Sequence, residues 1–336
     1  MTTTNGGAPL LAVEGLVTRY PVPRGIVGTL ARHPKQRVHA VDGVSFTVGE
    51  GEMLALVGES GCGKTTTAQS VMRLVEPDAG TVTFRGRELT GLSNKALRPV
   101  RRQMQMIYQD PYESLDPRFR VRSTVEEALL VHGVGSRTER RRLVEEALAR
   151  AGLTPPELYV DRFPHELSGG QRQRVAIASS LVLDPKLLVA DEPVSMLDVS
   201  VRAGVLRLLD GLRQDGLGIL MITHDLSTAA HFANRIAVMY LGRIVEEGPA
   251  RDVVRNPQHP YTKALLSVVP KRDPHERSRP QILQGETPDP IHIPVGCRFH
   301  PRCPIAIPEC KQVDPELRRT AGSQSPEHRA ACIRAW

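Results

Sequence analysis

The sequence predicts an α/β fold with a largely parallel sheet, on three observations. Short apolar runs alternate with longer helical patterns over the first 250 residues. A glycine-rich loop lies between one such run and a helical pattern. A third run, Leu187-Leu-Val-Ala, ends directly in the carboxylates Asp191 and Glu192. With 336 residues, the chain is long enough for about two domains.

Taken in order, Leu10–Tyr20 and Val38–Val48 alternate apolar with polar residues and read as an antiparallel edge, with Pro21–Arg37 as an inserted loop. Met53–Val57, Met104–Tyr108, Leu187–Ala190, Ile219–Thr223 and Ile236–Tyr240 are near-continuous apolar strands, the pattern of a sheet covered on both faces. Thr65–Leu74 and Arg172–Leu183 are helical patterns. Ser123-Thr-Val-Glu126 and Ser136-Arg-Thr-Glu139 read as capping boxes that open two helices, the second closing at Gly152. They fall in a strand-poor stretch, about 111–183, expected to be a helical subdomain.

Composition shifts near residue 250. From Ala250 onward there are 14 basic and 9 acidic residues, 13 of the 27 prolines and four of the five cysteines. The expected division is therefore 1–255, an α/β domain, and 256–336, a small Cys/Pro-rich C-terminal domain of regulatory type. The net charge is +7, with +5 of it in this tail, which reads as solvated surface, with nucleic acid or anionic lipid as the alternative partners. Aromatics make up 4%, with one Trp, which argues against a nucleic-acid binder built on stacking platforms. No apolar run is long enough to span a membrane, and the Met-Thr-Thr-Thr-Asn-Gly-Gly start lacks the pattern of a secretory signal, so a cytosolic protein is expected.

Gly58-Glu-Ser60-Gly61-Cys62-Gly63-Lys64-Thr65, followed by Thr66, fits G-x-x-x-x-G-K-[ST] between a strand and a helix. Its glycines let backbone N–H groups turn toward phosphate oxygens, and the helix adds its positive end. Lys64 would reach the β- and γ-phosphates of a nucleotide, and the Thr65 hydroxyl would ligate Mg²⁺. Asp191 suits a Mg²⁺ role through water, and Glu192 suits proton abstraction from an attacking water, both at the carboxyl end of a buried strand. Cys62, at a helix start, reads either as a thiol of lowered pKa or as an inert loop position.

Leu167-Ser168-Gly169-Gly170-Gln171 stands between these motifs and resembles the signature of ATP-binding-cassette (ABC) proteins, so the expected core is a P-loop ABC ATPase. The resemblance implies roles for further residues. Gln109 would contact Mg²⁺ or the attacking water, Asp198 in Ser195-Met-Leu-Asp198 would cross a dimer, His224 would sense the γ-phosphate, and Tyr20 would stack on adenine. The stretches Ala40–Phe46, Tyr108–Pro117, Asp191–Ser195, His259–Leu265 and Gly296–Cys310 resemble the ATP-binding subunits of bacterial oligopeptide and dipeptide ABC importers. The sequence departs from them at Met196, where alanine is usual, and at Cys62, where serine is common.

That resemblance implies two integral membrane permease subunits, a second ATP-binding subunit (a paralogue in a heterodimer), an extracytoplasmic peptide-binding protein, and a place at the cytoplasmic face of the cell membrane. Asp110–Arg122 resembles the surface where permeases dock. The alternatives are a soluble ABC ATPase acting on nucleic acid or the ribosome, an importer subunit for nickel or another solute, and a degenerate regulatory subunit. The first usually carries coiled-coil insertions or two cassettes, and neither is seen here. The last is opposed by the intact Lys64, Asp191, Glu192 and His224.

Cys297, Cys303, Cys310 and Cys332 follow C-x₅-C-x₆-C-x₂₁-C. In a cytosolic chain such a set reads as metal ligands, for zinc or an iron–sulfur cluster, with unliganded thiols as the third reading. Resemblance to the importer tails implies a [4Fe–4S] cluster. His300 and His328 are candidate substitute ligands.

Overall fold

The computed structural model describes residues 8–22, 36–110, 115–269, 281, 283, 285–323 and 325–335. Most of the expected inserted loop (23–35), and 111–114 of the docking stretch, lie outside the described residues. The strands are β1 (Leu11–Pro21), β2 (Arg37–Val48), β3 (Met53–Val57), β4 (Ala79–Phe84), β5 (Arg87–Glu88), β6 (Met104–Ile107), β7 (Leu187–Asp191), β8 (Gly218–Thr223), β9 (Arg235–Tyr240), β10 (Arg243–Pro249), β11 (Arg318–Arg319) and β12 (Arg329–Ala330). The α-helices are α1 (Lys64–Val71), α2 (Asn94–Gln103), α3 (Val121–His132), α4 (Arg137–Arg150), α5 (Gly169–Leu181), α6 (Val199–Gln214), α7 (Leu226–Phe232), α8 (Ala250–Arg255) and α9 (Pro260–Ser267).

The chain divides into two compact units. One comprises Met1–Leu11, Val48–Met53 and Gly91–Ile222; the other comprises Ala12–Thr47, Leu54–Thr90 and Thr223–Trp336.

In the first unit, β6, β7 and β8 run parallel, with Ile107 beside Ala190 and Ala190 beside Met221. Every residue of β7 is buried, as expected of a strand covered on both faces. Helices α3, α4 and α5 fill the strand-poor stretch. Their inward residues recur at helical spacing: Val121, Val125 and Leu129 on α3, and Val144, Ala147 and Leu148 on α4. Ser136 caps α4 by accepting from the Glu139 N–H at 3.3 Å, and Gly152 follows with a φ of 75°.

The cap expected at Ser123 is not formed. α3 starts three residues earlier, at Val121 rather than Thr124, leaving Ser123 inside its first turn. The Val121 and Arg122 N–H groups donate to the carbonyls of Arg162 and Val160, both at 2.9 Å, so these helix-start donors are satisfied without a side-chain cap.

In the second unit, β2, β1, β4 and β5 form a four-stranded sheet in that order. β3 pairs in parallel with β9, which turns back antiparallel into β10. α1 ends at Val71, short of Leu74, because Arg73 has a φ of 53° that helix geometry does not tolerate.

The proline-rich tail is bound into this unit by charges. β12 pairs with β10, setting Glu246 beside Ala330. Glu246 is wholly buried and accepts from the Gln258 N–H (2.7 Å), the His259 N–H (2.9 Å) and His328 Nε2 (2.7 Å). Asp42 of β2 is paired with Arg298, Arg243 and Arg19. Phe299 inserts beside Tyr240 and Tyr261, with ring centroids 5.2 and 5.5 Å away. A tail poor in apolar residues is thus ordered by paired charges and one aromatic anchor.

Candidate active site

The phosphate loop belongs to the second unit. β3 is fully buried and delivers the chain to Gly58, and α1 leaves from Gly63. A Cβ on Gly58 would collide with the Met239 carbonyl oxygen, and one on Gly63, whose φ is 106°, with the Ala40 carbonyl oxygen. Only glycine fits either place. The Lys64 ammonium is buried and donates to the carbonyls of Gly58 (2.8 Å) and Glu59 (2.9 Å). Ser60 and Thr65 are exposed, and Thr66 is half-buried.

Cys62 is not a reactive thiolate. It is 2% exposed, and burial pushes its thiol up despite the neighbouring Lys64. Its carbonyl accepts from the Gly242 N–H at 2.9 Å, so the position serves through its backbone.

His224 is exposed at the end of β8. Asp225 fixes the next turn: its N–H donates to Thr223 Oγ1 (3.0 Å), and its carboxylate accepts from the Ser227 N–H (2.9 Å) and the Thr228 hydroxyl (2.6 Å). Burial raises the Asp225 pKa, but these hydrogen bonds more than offset it and leave the carboxyl below its usual value. Tyr20 is partly exposed near the end of β1.

The first unit carries the other candidates. Asp191 is buried at the end of β7. Glu192 takes a φ of 46°, a left-handed conformation that costs a non-glycine residue about 1–3 kcal/mol. Its N–H donates to the Ile222 carbonyl at 2.9 Å, and its Oε2 accepts from Gln109 Nε2 at 3.4 Å. Ser168 starts α5 with a reciprocal capping box: its Oγ accepts from the Gln171 N–H (3.3 Å), and Gln171 Oε1 accepts from the Ser168 N–H (3.0 Å). That Ser-x-x-Gln signal was legible in the sequence but unused there. Gly169 and Gly170 form the first turn, and a Cβ on Gly170 would strike Val201. Asp198 starts α6 without using its side chain as a cap, leaving the carboxylate exposed beside the exposed Val199.

The four tail cysteines come together. Cys297, Cys303, Cys310 and Cys332 line one small cavity with His259 and His300. Burial, reinforced by the other three cysteines, pushes the Cys297 thiol up to about 11. Among the described residues, no group of three or more His, Cys, Asp or Glu forms that could hold a metal ion. His328 is not a spare ligand, because its ring bonds Glu246 through Nε2 (2.7 Å) and Ser323 through Nδ1 (3.1 Å).

No helix among the described residues is long and apolar enough to cross a membrane. The family pattern described as ABC transporter matches residues 41–195, and that described as the oligopeptide/dipeptide transporter C-terminal region matches 245–310. A putative peptide import ATP-binding protein of Brucella ovis is 45% identical over 327 residues, 97% of this chain and 98% of the relative. The oligopeptide transport ATP-binding protein AppF of Bacillus subtilis is 47% identical over 300 residues, 88% of this chain and 89% of the relative. Among solved structures, a dimeric ATP-binding cassette, MJ0796, in a post-hydrolysis state with ADP and phosphate, superposes with a TM-score of 0.62 at 28% identity, covering 72% of this chain and 99% of that one. Set beside a glycine cradle with its buried lysine and a serine-capped second helix start, these likenesses establish that the chain belongs to the ATP-binding subunits of ABC transporters.

Proposed function

We propose that this chain hydrolyses ATP to power the import of peptides, working at the cytoplasmic face of a membrane with two permease subunits, a second ATP-binding subunit of paralogous sequence and an extracytoplasmic peptide-binding protein. One observation carries the reading: the ABC transporter pattern and the oligopeptide/dipeptide C-terminal pattern occupy the same chain, around an unbroken set of ATP-handling residues.

The residues take the following parts. Backbone N–H groups of the Gly58–Thr66 loop cradle the polyphosphate, and Lys64 exchanges its two carbonyl partners for the β- and γ-phosphates. When Mg²⁺ is bound, Thr65 would hold it through its hydroxyl, Gln109 through its amide oxygen, and Asp191 through water. Glu192 accepts the proton of the attacking water, held in aim by Gln109. His224 reads the γ-phosphate and Tyr20 stacks on adenine. Ser168, Gly169, Gly170 and Gln171 present a helix start without a lysine of its own, suited to the γ-phosphate on a partner subunit, with Asp198 lining the crossing. Closure is then stabilised by a contact that exists only with a triphosphate, and hydrolysis removes it.

The division into a nucleotide-binding domain to residue 255 and a C-terminal domain beyond it belongs to this reading as a functional partition. The proposal extends to the tail, where Cys297, Cys303, Cys310 and Cys332 would hold a [4Fe–4S] cluster. All four cysteines line one cavity, and ligation by four cysteines is the usual way such a cluster is held. Such a cluster supplies a cross-link to the tail and a one-electron redox centre.

The test is reconstitution of the assembly in liposomes, following peptide uptake and ATPase rate together. Peptide-stimulated hydrolysis coupled to uptake is expected. An ATPase indifferent to every peptide but stimulated by nickel or by nucleic acid would transfer the reading to one of those alternatives.

A further inference from the structure

Glu59 holds a variable position of the phosphate-loop motif, and the ATP chemistry assigns it nothing, yet three of its groups are gripped. Its carboxylate accepts from Arg302 Nη1 (Oε2, 2.9 Å) and Nη2 (Oε1, 3.3 Å), and from the Thr287 hydroxyl (Oε2, 3.0 Å). Its N–H donates to the Tyr261 hydroxyl at 2.9 Å. Its carbonyl receives the Lys64 ammonium at 2.9 Å. The Arg302 side chain is 9% exposed and that of Glu59 29%. A two-pronged arginine–carboxylate contact in that setting fixes direction as well as distance.

Arg302 ends the short turn His300–Arg302, which lies between Cys297 and Cys303 and is closed by the His300 N–H on the Cys297 carbonyl at 2.9 Å. Tyr261 opens α9 with its ring wholly buried. A loop built from Gly58, Gly61 and Gly63 has little stiffness of its own, yet anion binding requires its N–H groups to converge beforehand. The tail supplies that stiffness from outside.

We propose that Arg302 and Tyr261 are positioning residues for nucleotide binding: through Glu59 they hold the phosphate loop, and the Lys64 ammonium lying on it, in the shape that receives the polyphosphate, so the cysteine-bearing tail sets the affinity for ATP. This rests on the ATPase reading above.

The test titrates a fluorescent ATP analogue with Mg²⁺ into the full chain and into Arg302→Ala, Arg302→Lys, Tyr261→Phe, Glu59→Gln and the Arg302→Ala/Glu59→Gln double variant. Thermal melts accompany each titration. Arg302→Ala and Glu59→Gln are each expected to weaken binding about tenfold, with the double variant little worse than either alone. Arg302→Lys, which keeps the charge without the fork, should recover part of the loss, and the rate at saturating ATP should stay near wild type. A merely structural contact would lower the melting temperature and leave the affinity of the folded protein unmoved. Wild-type affinity in folded Arg302→Ala and Glu59→Gln, or fully additive losses, overturns the proposal. Should Arg302→Ala not fold, Arg302→Lys and Glu59→Gln decide by the same criterion. A wild-type chain that binds no nucleotide sinks the ATPase reading and this proposal with it, whereas normal wild-type binding with indifferent variants sinks the proposal alone.

Discussion

Gln109 donates its Nε2 to Oε2 of Glu192 across 3.4 Å, and the pairing follows from strand register. Ile107 and Ala190 are partners in the parallel β6–β7 pair, so the residues two positions beyond that pair, Gln109 and Glu192, emerge side by side. Glu192 itself takes a left-handed conformation, with a φ of 46°. The proposed base and the group proposed to aim it are thus brought together by the pairing of two adjacent strands.

Glu192→Gln keeps that geometry and removes the basic oxygen. ATP binding is expected to persist while turnover falls by about 10²–10⁴. Gel filtration in Mg²⁺ and ATP should then show a nucleotide-locked dimer that the wild type does not accumulate. Turnover at the wild-type rate would remove Glu192 from the role of base.

Gly63→Ala forces a Cβ onto the Ala40 carbonyl oxygen at a residue whose φ is 106°. Overpacking of this kind costs about 1–3 kcal/mol, and here it also displaces the start of α1. A lowered melting temperature together with loss of ATP-analogue binding is the expected result. Retention of both would show that the loop yields without harm.

His259 ties stability to pH. Burial, only partly opposed by Glu246, lowers its pKa from 6.5 to about 4, with Lys263 adding to the fall. Between these values the unfolded chain binds a proton that the folded chain refuses. Stability should therefore fall as pH drops through that window, by about 3 kcal/mol in all, and show no such slope above it. His259→Asn preserves an acceptor for the Tyr261 N–H and should flatten the slope in urea melts at pH 7 and pH 5. An unchanged slope would assign the acid sensitivity to other groups.

Glu246 and His328 are both wholly buried and 2.7 Å apart. Replacing His328 with Leu removes one hydrogen-bond partner of the buried carboxylate and keeps its two backbone donors, at a cost of about 1–3 kcal/mol. Limited proteolysis should show the tail beyond β10 cut first in this variant. Resistance equal to wild type would mean that the remaining contacts suffice.

For the cysteine cavity, anaerobically purified protein is expected to be brown, with iron and acid-labile sulfide near four each per chain, in line with four-cysteine ligation. Cys303→Ser should bleach it. A colourless protein carrying one zinc would assign the thiols to that ion instead.

Much of this molecule is decided by local pattern. The apolar runs of β3 and β7 are buried throughout, as their composition demands, because only covered strands can be apolar on both faces. The phosphate loop, the serine start of α5 and the cap at Ser136 are contiguous motifs whose hydrogen bonds span three to six residues, so their chemistry is written within a short segment. The capping box at Ser123 misled because two distant carbonyls, of Val160 and Arg162, satisfy that helix start, and local sequence carries no trace of them. The reactive reading of Cys62 failed for a similar reason: the helix position is local, but the burial that raises its pKa is not. Tertiary structure alone decided that the tail folds onto the phosphate-loop unit, that His328 is engaged by Glu246, and that Arg302 reaches back 243 positions to Glu59. Ion pairs of that reach depend on how the whole chain packs, and a carboxylate's partner has no periodicity by which a sequence could announce it.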